Sequence, residues 1–259
     1  MYYYMVNDIK VYFEPELDGG GRSFGQMYVP ILKKLGIRCK NCYEAFSGPA
    51  FIGFSLLGAG ICDNLYVSDI NPKAIDYVKL TVRYNKLEEK VKYSVSDLLE
   101  NVPKDAKFDL VVGNPPHFKD KSFTKKYGSN NLDILKGLDQ SWGLHNKFYN
   151  SIRDYMKPGG NIILVENSEG SDPKDFIPII MQSNLKLKDI IYPDYDDILY
   201  VYKLLISNYY NFSDSKIIGW LASIILKLPD DLVKAIAFTY HYTLLKSFKK
   251  FYFIWSQVI

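Results

Sequence analysis

From residue 40 onward, short and wholly apolar runs alternate with stretches of helical character. Runs without a polar alternation are strands buried on both faces, and such strands belong to parallel sheets covered by crossover helices. Strands are expected at 42–46, 64–70, 91–95, 108–113 and 161–166. Helices are expected from Phe51, from Pro72 to about Asn85, and ending over Ile152–Met156. Pro72 stands where the first turn of a helix accepts proline. LKLKDIIY (185–192) and LYVYKLLI (199–206) read as a last pair of strands around the turn PDYDD. The gap between them is too short for a helical crossover, so the expectation is an α/β chain whose mostly parallel seven-stranded sheet ends antiparallel.

This core covers 40–206. Residues 1–39 read as an N-terminal extension with the run DGGG at 18–21, and 207–259 as a helical C-terminal extension split at Pro229. The stretch Glu14–Arg22 suits equally a cap over a site or an exposed turn. The C-terminal helices are rich in aromatics, with Lys246, Lys249 and Lys250 among them. A homodimer contact, a membrane-interface helix and a lid packed on the sheet all fit, the first and last being the ordinary outcomes.

Composition excludes more than it assigns. With 259 residues, 47% apolar and 24% charged, the chain is neither disordered nor fibrous. A net charge of +3 does not announce a nucleic-acid protein, and only four of the 32 basic residues are arginine, the better phosphate fork. Cys39, Cys42 and Cys62 make neither a disulfide framework nor a zinc site, and no metal ligand set is visible. The N-terminus lacks the layout of a signal peptide and no apolar run is long enough to span a bilayer, so a cytoplasmic location is expected.

The chemistry lies at the ends of the strands. The first ends in Glu44-Ala45-Phe46-Ser47-Gly48-Pro49-Ala50, where a glycine before a helix lets backbone N–H groups face a ligand. Asp69 ends the second strand, 21 positions after Gly48, where a carboxylate takes ribose hydroxyls. Ser96-Asp97 ends the third, placed to receive an exocyclic amine. The fourth stops at Asn114-Pro115-Pro116-His117-Phe118. Two prolines after a buried strand stiffen the backbone and remove donors. The Asn114 side chain and the Pro115 carbonyl can then aim two acceptors at one planar NH2 group, turning its lone pair out of conjugation.

These residues resemble class I S-adenosylmethionine-dependent methyltransferases, specifically those with an Asn-Pro-Pro-aromatic motif that act on glutamine amides or on exocyclic amines of nucleobases. EAFSG (44–48), VSDINPKAI (67–75), SVSDLL (94–99) and YMKPGGNIILVEN (155–167) carry the likeness over about 40–206. The resemblance implies a Rossmann-like methyltransferase fold. It implies S-adenosylmethionine contacts at Glu44, Phe46, Gly48, Asp69, Ile70, Ser96, Asp97 and Asn114, and catalysis at Asn114, Pro115, Pro116 and His117. Acceptor contacts are expected at His117 and Phe118 and, from their place beside the long loop that follows, at Trp142 and His145, although core packing explains Trp142 equally well. Two positions depart from the pattern: Ala50 replaces a usual glycine, and His117 stands where Tyr, Phe or Trp is usual. His117 could stack or take a proton.

The long loop from Phe118 to Trp142 reads as a substrate wall, with Lys119, Lys121, Lys125 and Lys126 diluted by Asp120, Asp133 and Asp139. The expected function is N-methylation of an amide- or amine-type nitrogen in a small molecule or peptide. The alternatives are an exocyclic-amine methyltransferase of RNA or DNA, for which the lysines speak, and a non-catalytic cofactor-binding partner protein.

Overall fold

The structure is a computed structural model that describes residues 1–120, 137–212, 216–240 and 246–259. Its elements in chain order are β1 (Tyr2–Val6), β2 (Ile9–Phe13), α1 (Tyr28–Lys34), β3 (Cys39–Ala45), α2 (Phe51–Gly58), β4 (Cys62–Asp69), α3 (Pro72–Tyr84), β5 (Val91–Val95) and β6 (Phe108–Gly113). They continue with α4 (Gly143–Ile152), β7 (Met156–Asn167), α5 (Pro173–Gln182), β8 (Leu185–Ile191), α6 (Tyr195–Phe212), α7 (Lys216–Lys227), α8 (Asp230–Tyr240) and β9 (Phe251–Val258). The main sheet has the order β5-β4-β3-β6-β7-β9-β8. β5, β4, β3, β6 and β7 pair in parallel, while β9 runs antiparallel to both β7 and β8. This is the Rossmann-like sheet expected from the apolar runs.

Its far end is built differently from the expectation. LYVYKLLI (199–206) is not a strand but the middle of α6. PDYDD does not turn a hairpin: the Asp194 carboxylate accepts the backbone N–H groups of Asp196 (2.9 Å) and Asp197 (3.0 Å) and starts the helix. Ile198, Leu199, Val201 and Tyr202 are buried, a helical stripe that a run of mixed β-branched and aromatic residues disguises. The antiparallel strand is instead Phe251–Val258, at the end of the segment read as wholly helical. Residues 251–258 therefore belong to the core sheet, and the expected boundary at 206 falls inside α6.

Each face of the sheet has its own apolar layer. One gathers Val112 and Ile163 of the strands with Leu32 of α1, Phe54 of α2, Val78 of α3 and Val201 of α6. The other joins Val111 and Leu164 to Phe148 of α4 and Phe176 of α5. The N-terminal hairpin β1–β2 packs into the first layer and ties its edge to α3, the Tyr12 N–H donating to Thr81 Oγ1 (2.9 Å). Val233 and Ala237 of α8 join the same layer, whereas Trp220 and Leu221 of α7 face out. Among the described residues no helix is long and apolar enough to cross a membrane. The three cysteines are free and buried.

Tyr28 fastens the N-terminal extension to the sheet at the place where the site forms. Its fully buried hydroxyl lies 2.8 Å from the carbonyls of both Gly113 and Ile163 and shares its one proton between them. Removing it strands two buried acceptors. Tyr28→Phe should therefore cost about 1–3 kcal/mol; a denaturation midpoint that does not move would contradict this role for the hydroxyl.

Candidate functional site

The segments that follow β3, β4, β5 and β6 converge on a cavity of about 340 Å³. Glu44, Phe46 and Gly48 enter it from β3, Asp69 and Ile70 from β4, Ser96 and Asp97 from β5, and Asn114 and Pro116 from β6. In an open α/β sheet this crevice at the carboxyl ends of the strands is the usual place for a ligand.

The turn after β3 is held in an uncommon backbone. Phe46, Gly48 and Ala50 have φ of 54°, 50° and 64°. Two of them are not glycine, so the turn carries strain that its surroundings must hold. The holding group is Asp69. Its Oδ2 accepts the Gly48 N–H at 2.7 Å and its Oδ1 the Asn71 N–H at 2.9 Å. Burial pushes its carboxyl up, against the backbone donors of Asn71, Gly48 and Ile70. These three donors leave one of its four lone-pair sites for a ligand.

Glu44 serves the helix as much as the cavity. α2 has no side-chain cap of its own, and Glu44 Oε2 accepts the Gly53 N–H at 2.6 Å in the first turn, where the helix dipole favours an anion. Gly53 is needed there, since a Cβ would lie 2.6 Å from that oxygen. Burial raises the Glu44 carboxyl to about 8 despite the donors of Gly53 and Ile52. The Ser96 hydroxyl is likewise engaged, accepting the Asn101 N–H at 2.9 Å.

Between a cap and an exposed turn for Glu14–Arg22, the geometry is that of a cap. Leu17, Gly19 and Gly21 line the cavity, and the Gly19 carbonyl accepts Asn114 Nδ2 at 2.8 Å. Asp18 holds the turn closed through the Gly20 N–H (2.9 Å) and Arg22 Nε (2.8 Å). Gly20 has φ +97°, and a Cβ there would collide with the Phe24 ring. With its amide nitrogen spent on Gly19, Asn114 is left with Oδ1 buried and without a partner.

His117, Phe118, Trp142 and His145, expected around the acceptor, lie behind the cavity wall and do not line it; Pro115 is buried there too. The reason is a buried set of charges. His145 Nδ1 lies 2.7 Å from Asp139 Oδ2 and Nε2 2.8 Å from Glu166 Oε1, and Glu166 Oε2 is 3.3 Å from His117 Nδ1. Burial would push the His145 imidazole down, but the Glu166 charge and the bonds to Asp139 and Glu166 outweigh it and raise it to about 9. The same contacts overcome burial at Glu166 and hold its carboxyl low. Trp142 packs on His145 and Phe176, so it is core rather than pocket.

Leu138, Asp139 and Gln140 of the wall belong to the loop 118–142 read from the sequence as a substrate wall, whereas Leu98 and Leu144 were not singled out. Leu98 follows Asp97 and could have been found from that spacing; Leu144 carries no local signal. Lys119 pairs with Asp175 at 3.2 Å. Lys121, Lys125, Lys126 and Asp133 lie outside the described residues. Among the described lining residues Glu44, Asp69, Asp97 and Asp139 are acidic and none is Lys, Arg or His. Among the described residues no cluster is suited to a metal.

Two of these buried groups make stability pH-dependent in the same direction. Glu44 is raised from 4.5 to about 8, so it subtracts stability progressively over that interval. His145 is raised from 6.5 to about 9, so its contribution is complete below the first value and lost as pH rises through the second. The melting temperature of the ligand-free protein should fall from about pH 5 to about pH 9. Glu44→Gln should flatten the lower part of that slope and His145→Gln the upper part, which thermal unfolding across this range checks.

Comparison with known proteins agrees with this geometry. The family described as Methyltransferase small domain matches residues 5–135. The release factor glutamine methyltransferase of Clostridium acetobutylicum is 27% identical over 149 residues, 56% of this chain and 51% of that protein. The tRNA (guanine(37)-N(1))-methyltransferase of Methanocaldococcus jannaschii is 33% identical over 131 residues, 51% of this chain and 33% of that protein. The chain thus spans about half the length of the first relative and a third of the second. A crystal structure of an S-adenosylmethionine-dependent methyltransferase from Clostridium acetobutylicum superposes with a TM-score of 0.52, covering 91% of this chain and 90% of that one. At 10% identity that likeness is one of fold.

Proposed function

The chain belongs to the methyltransferase small-domain family, and on that premise we propose that it is an N-methyltransferase acting on a planar amide- or amine-type nitrogen of a small molecule or peptide. The observation that carries this reading is the unpartnered, buried Oδ1 of Asn114 in the cavity wall. A buried acceptor without a donor is costly, and an N–H of a bound acceptor would satisfy it.

S-adenosylmethionine is the methyl donor, and the residues present fit it. Asp69 would offer its remaining lone pair to a ribose hydroxyl while its other bonds hold the Gly48 turn in place. Ile70, 53% exposed beside it, would give an apolar face to the adenine, and Asp97 would receive its exocyclic amine. Glu44, Phe46 and the backbone at Gly48 and Ser96 complete that half of the cavity, and its acidic lining suits a cation. When bound, the cofactor supplies a methyl group made electrophilic by a sulfonium.

The chain's own part in the reaction is to hold the acceptor nitrogen. Asn114 Oδ1 accepts one of its N–H groups, and the Pro115-Pro116 backbone keeps that acceptor rigid. The lone pair is thereby turned out of conjugation and aimed at the methyl carbon. Leu138 and Leu144 close the apolar side and exclude water. His117, Phe118, Trp142 and His145 act from behind that wall.

Asn114→Ala should lower methyl transfer by about a hundredfold or more while leaving S-adenosylhomocysteine binding within about twofold. Asp69→Ala should weaken that binding about tenfold or more. Assay against a short glutamine-containing peptide and an adenine-containing oligonucleotide separates the acceptor classes. Unchanged turnover in Asn114→Ala would sink the assignment.

The similarity to a tRNA (guanine(37)-N(1))-methyltransferase favours a nucleic acid as the acceptor in a second reading, which the Asn114-Pro115-Pro116 corner directs to an exocyclic amine in RNA or DNA. Binding of tRNA that weakens steeply with salt, together with methylation of the oligonucleotide alone, would select it. Methyl transfer to either probe would dispose of a purely non-catalytic partner protein.

A further inference from the structure

Four buried side chains behind the cavity wall close a circuit around its acceptor corner. It starts at His117, two residues after Pro115. Glu166 bridges His117 and His145 through its two oxygens. Asp139 takes the other side of His145, and its two oxygens also accept the backbone N–H groups of Leu144 (2.8 Å) and His145 (3.0 Å). The backbone then completes the loop: the Asp139 N–H donates to the Phe118 carbonyl at 2.8 Å, and the Phe118 N–H donates to the Gly137 carbonyl at 2.9 Å. Phe118 is covalently next to His117.

Both ring nitrogens of His145 thus face a carboxylate. An ionised carboxylate only accepts, and a neutral imidazole has one N–H to give, so the arrangement is complete only with His145 as an imidazolium between two anions. The segment it secures is strained, with φ of 56° at Ser141 and 59° at Trp142 between the wall residues Gln140 and Leu144. Such a backbone persists only where its surroundings over-determine it. None of the circuit's hydrogen bonds reaches Gly48, Asp69 or Asp97, which hold the cofactor half.

We propose that this circuit is the positioning device of the acceptor half: His145, as an imidazolium between Asp139 and Glu166, locks the wall at 138–144 to the Asn114–Pro116 corner, so acceptor placement depends on its charge and cofactor binding does not. The assignment of the two halves rests on the proposed function. His145, Glu166 and Asp139 are positioning residues, acting through His117 and the wall.

Three tyrosines also face the circuit. Tyr149 packs beside His145, and Tyr28 and Tyr252 lie near Glu166. Burial, then the Glu166 charge among other contacts, pushes the hydroxyls of all three upward, so they stay neutral while His145 titrates. His145 itself loses its proton at about 9.

The test uses the whole chain. Nitrogen-15 NMR of the imidazoles, with only three histidines to assign, reads the state of His145 directly. Backbone hydrogen exchange, corrected for its intrinsic pH dependence, reads segments 114–118 and 137–145, and S-adenosylhomocysteine titration reads the other half. Both His145 nitrogens should carry protons at about pH 7. His145→Gln and Glu166→Gln should each speed exchange in the two segments by about tenfold or more while moving S-adenosylhomocysteine affinity by no more than about twofold. In the unmodified protein the same acceleration should set in as pH passes about 9. A measured KM for the glutamine-containing peptide should rise over that interval, and in Glu44→Gln, which removes the Glu44 titration near 8 from the cofactor half, S-adenosylhomocysteine affinity should not change with pH.

A neutral His145 at about pH 7, or exchange in these segments that is indifferent to pH, overturns the proposal. So does a loss of S-adenosylhomocysteine binding in parallel with the faster exchange. Should a variant fail to fold, the pH series on the unmodified protein decides. Failure of the Asn114 and Asp69 variants to behave as described would strike the methyltransferase reading and leave the exchange result standing.

Discussion

The site depends on the parallel register of the four central strands. Ala45 pairs with Gly113 and Asp69 with Val95, so β3, β4, β5 and β6 all end at one edge of the sheet. Each strand end therefore delivers its polar residues to the same crevice, and the helices that follow β3 and β4 begin there with free N–H groups. Glu44 shows how closely strand and helix are joined: it leaves β3 one residue before the strand ends and supplies the cap that α2 lacks. A shift of one residue would turn this carboxylate to the opposite face.

The walls come from sequence far away. The Gly-rich turn near the N-terminus closes one side by accepting the Asn114 amide, and Tyr28 anchors that extension under the same motif. The opposite side is held from within by charges that a buried site tolerates only in pairs. Glu166 lies at the end of β7 and would be costly alone; His145 on α4 and His117 after β6 make it affordable, and Asp139 balances His145 in turn. Strand ends thus place one half of the cavity, whereas tertiary ion pairs hold the wall of the other.

What could be read beforehand follows that division. Asp69 and Asp97 were legible because the end of an apolar run and the next helix start mark the position without any knowledge of packing. Asn114 was legible because Asn-Pro-Pro cannot continue a strand. His145 and Trp142 were assigned to the acceptor pocket from nearness in the chain to a long loop, and the fold turns both inward. Their burial depends on Glu166 and Phe176, which reach them only through β7 and α5. LYVYKLLI was misread for a related reason: its composition suits a strand, and only its burial against the hairpin and α1 makes the helical stripe the more favourable one.

The amino-acid sequence by itself determined the parallel core, the order of the acidic residues along its edge and the Asn-Pro-Pro stop, because each is written in neighbouring residues whose periodicity or backbone restriction acts locally. Only the tertiary structure decided that β9 enters the sheet from the C-terminal end, that the N-terminal turn is a cap, and that His117 and His145 belong with Asp139 and Glu166 to a buried charge circuit. Those outcomes depend on contacts between segments more than 90 residues apart in the cases of Tyr28 with Ile163 and of Trp255 beside Ile163. A local pattern carries no trace of such a partner; burial of the whole chain selects it.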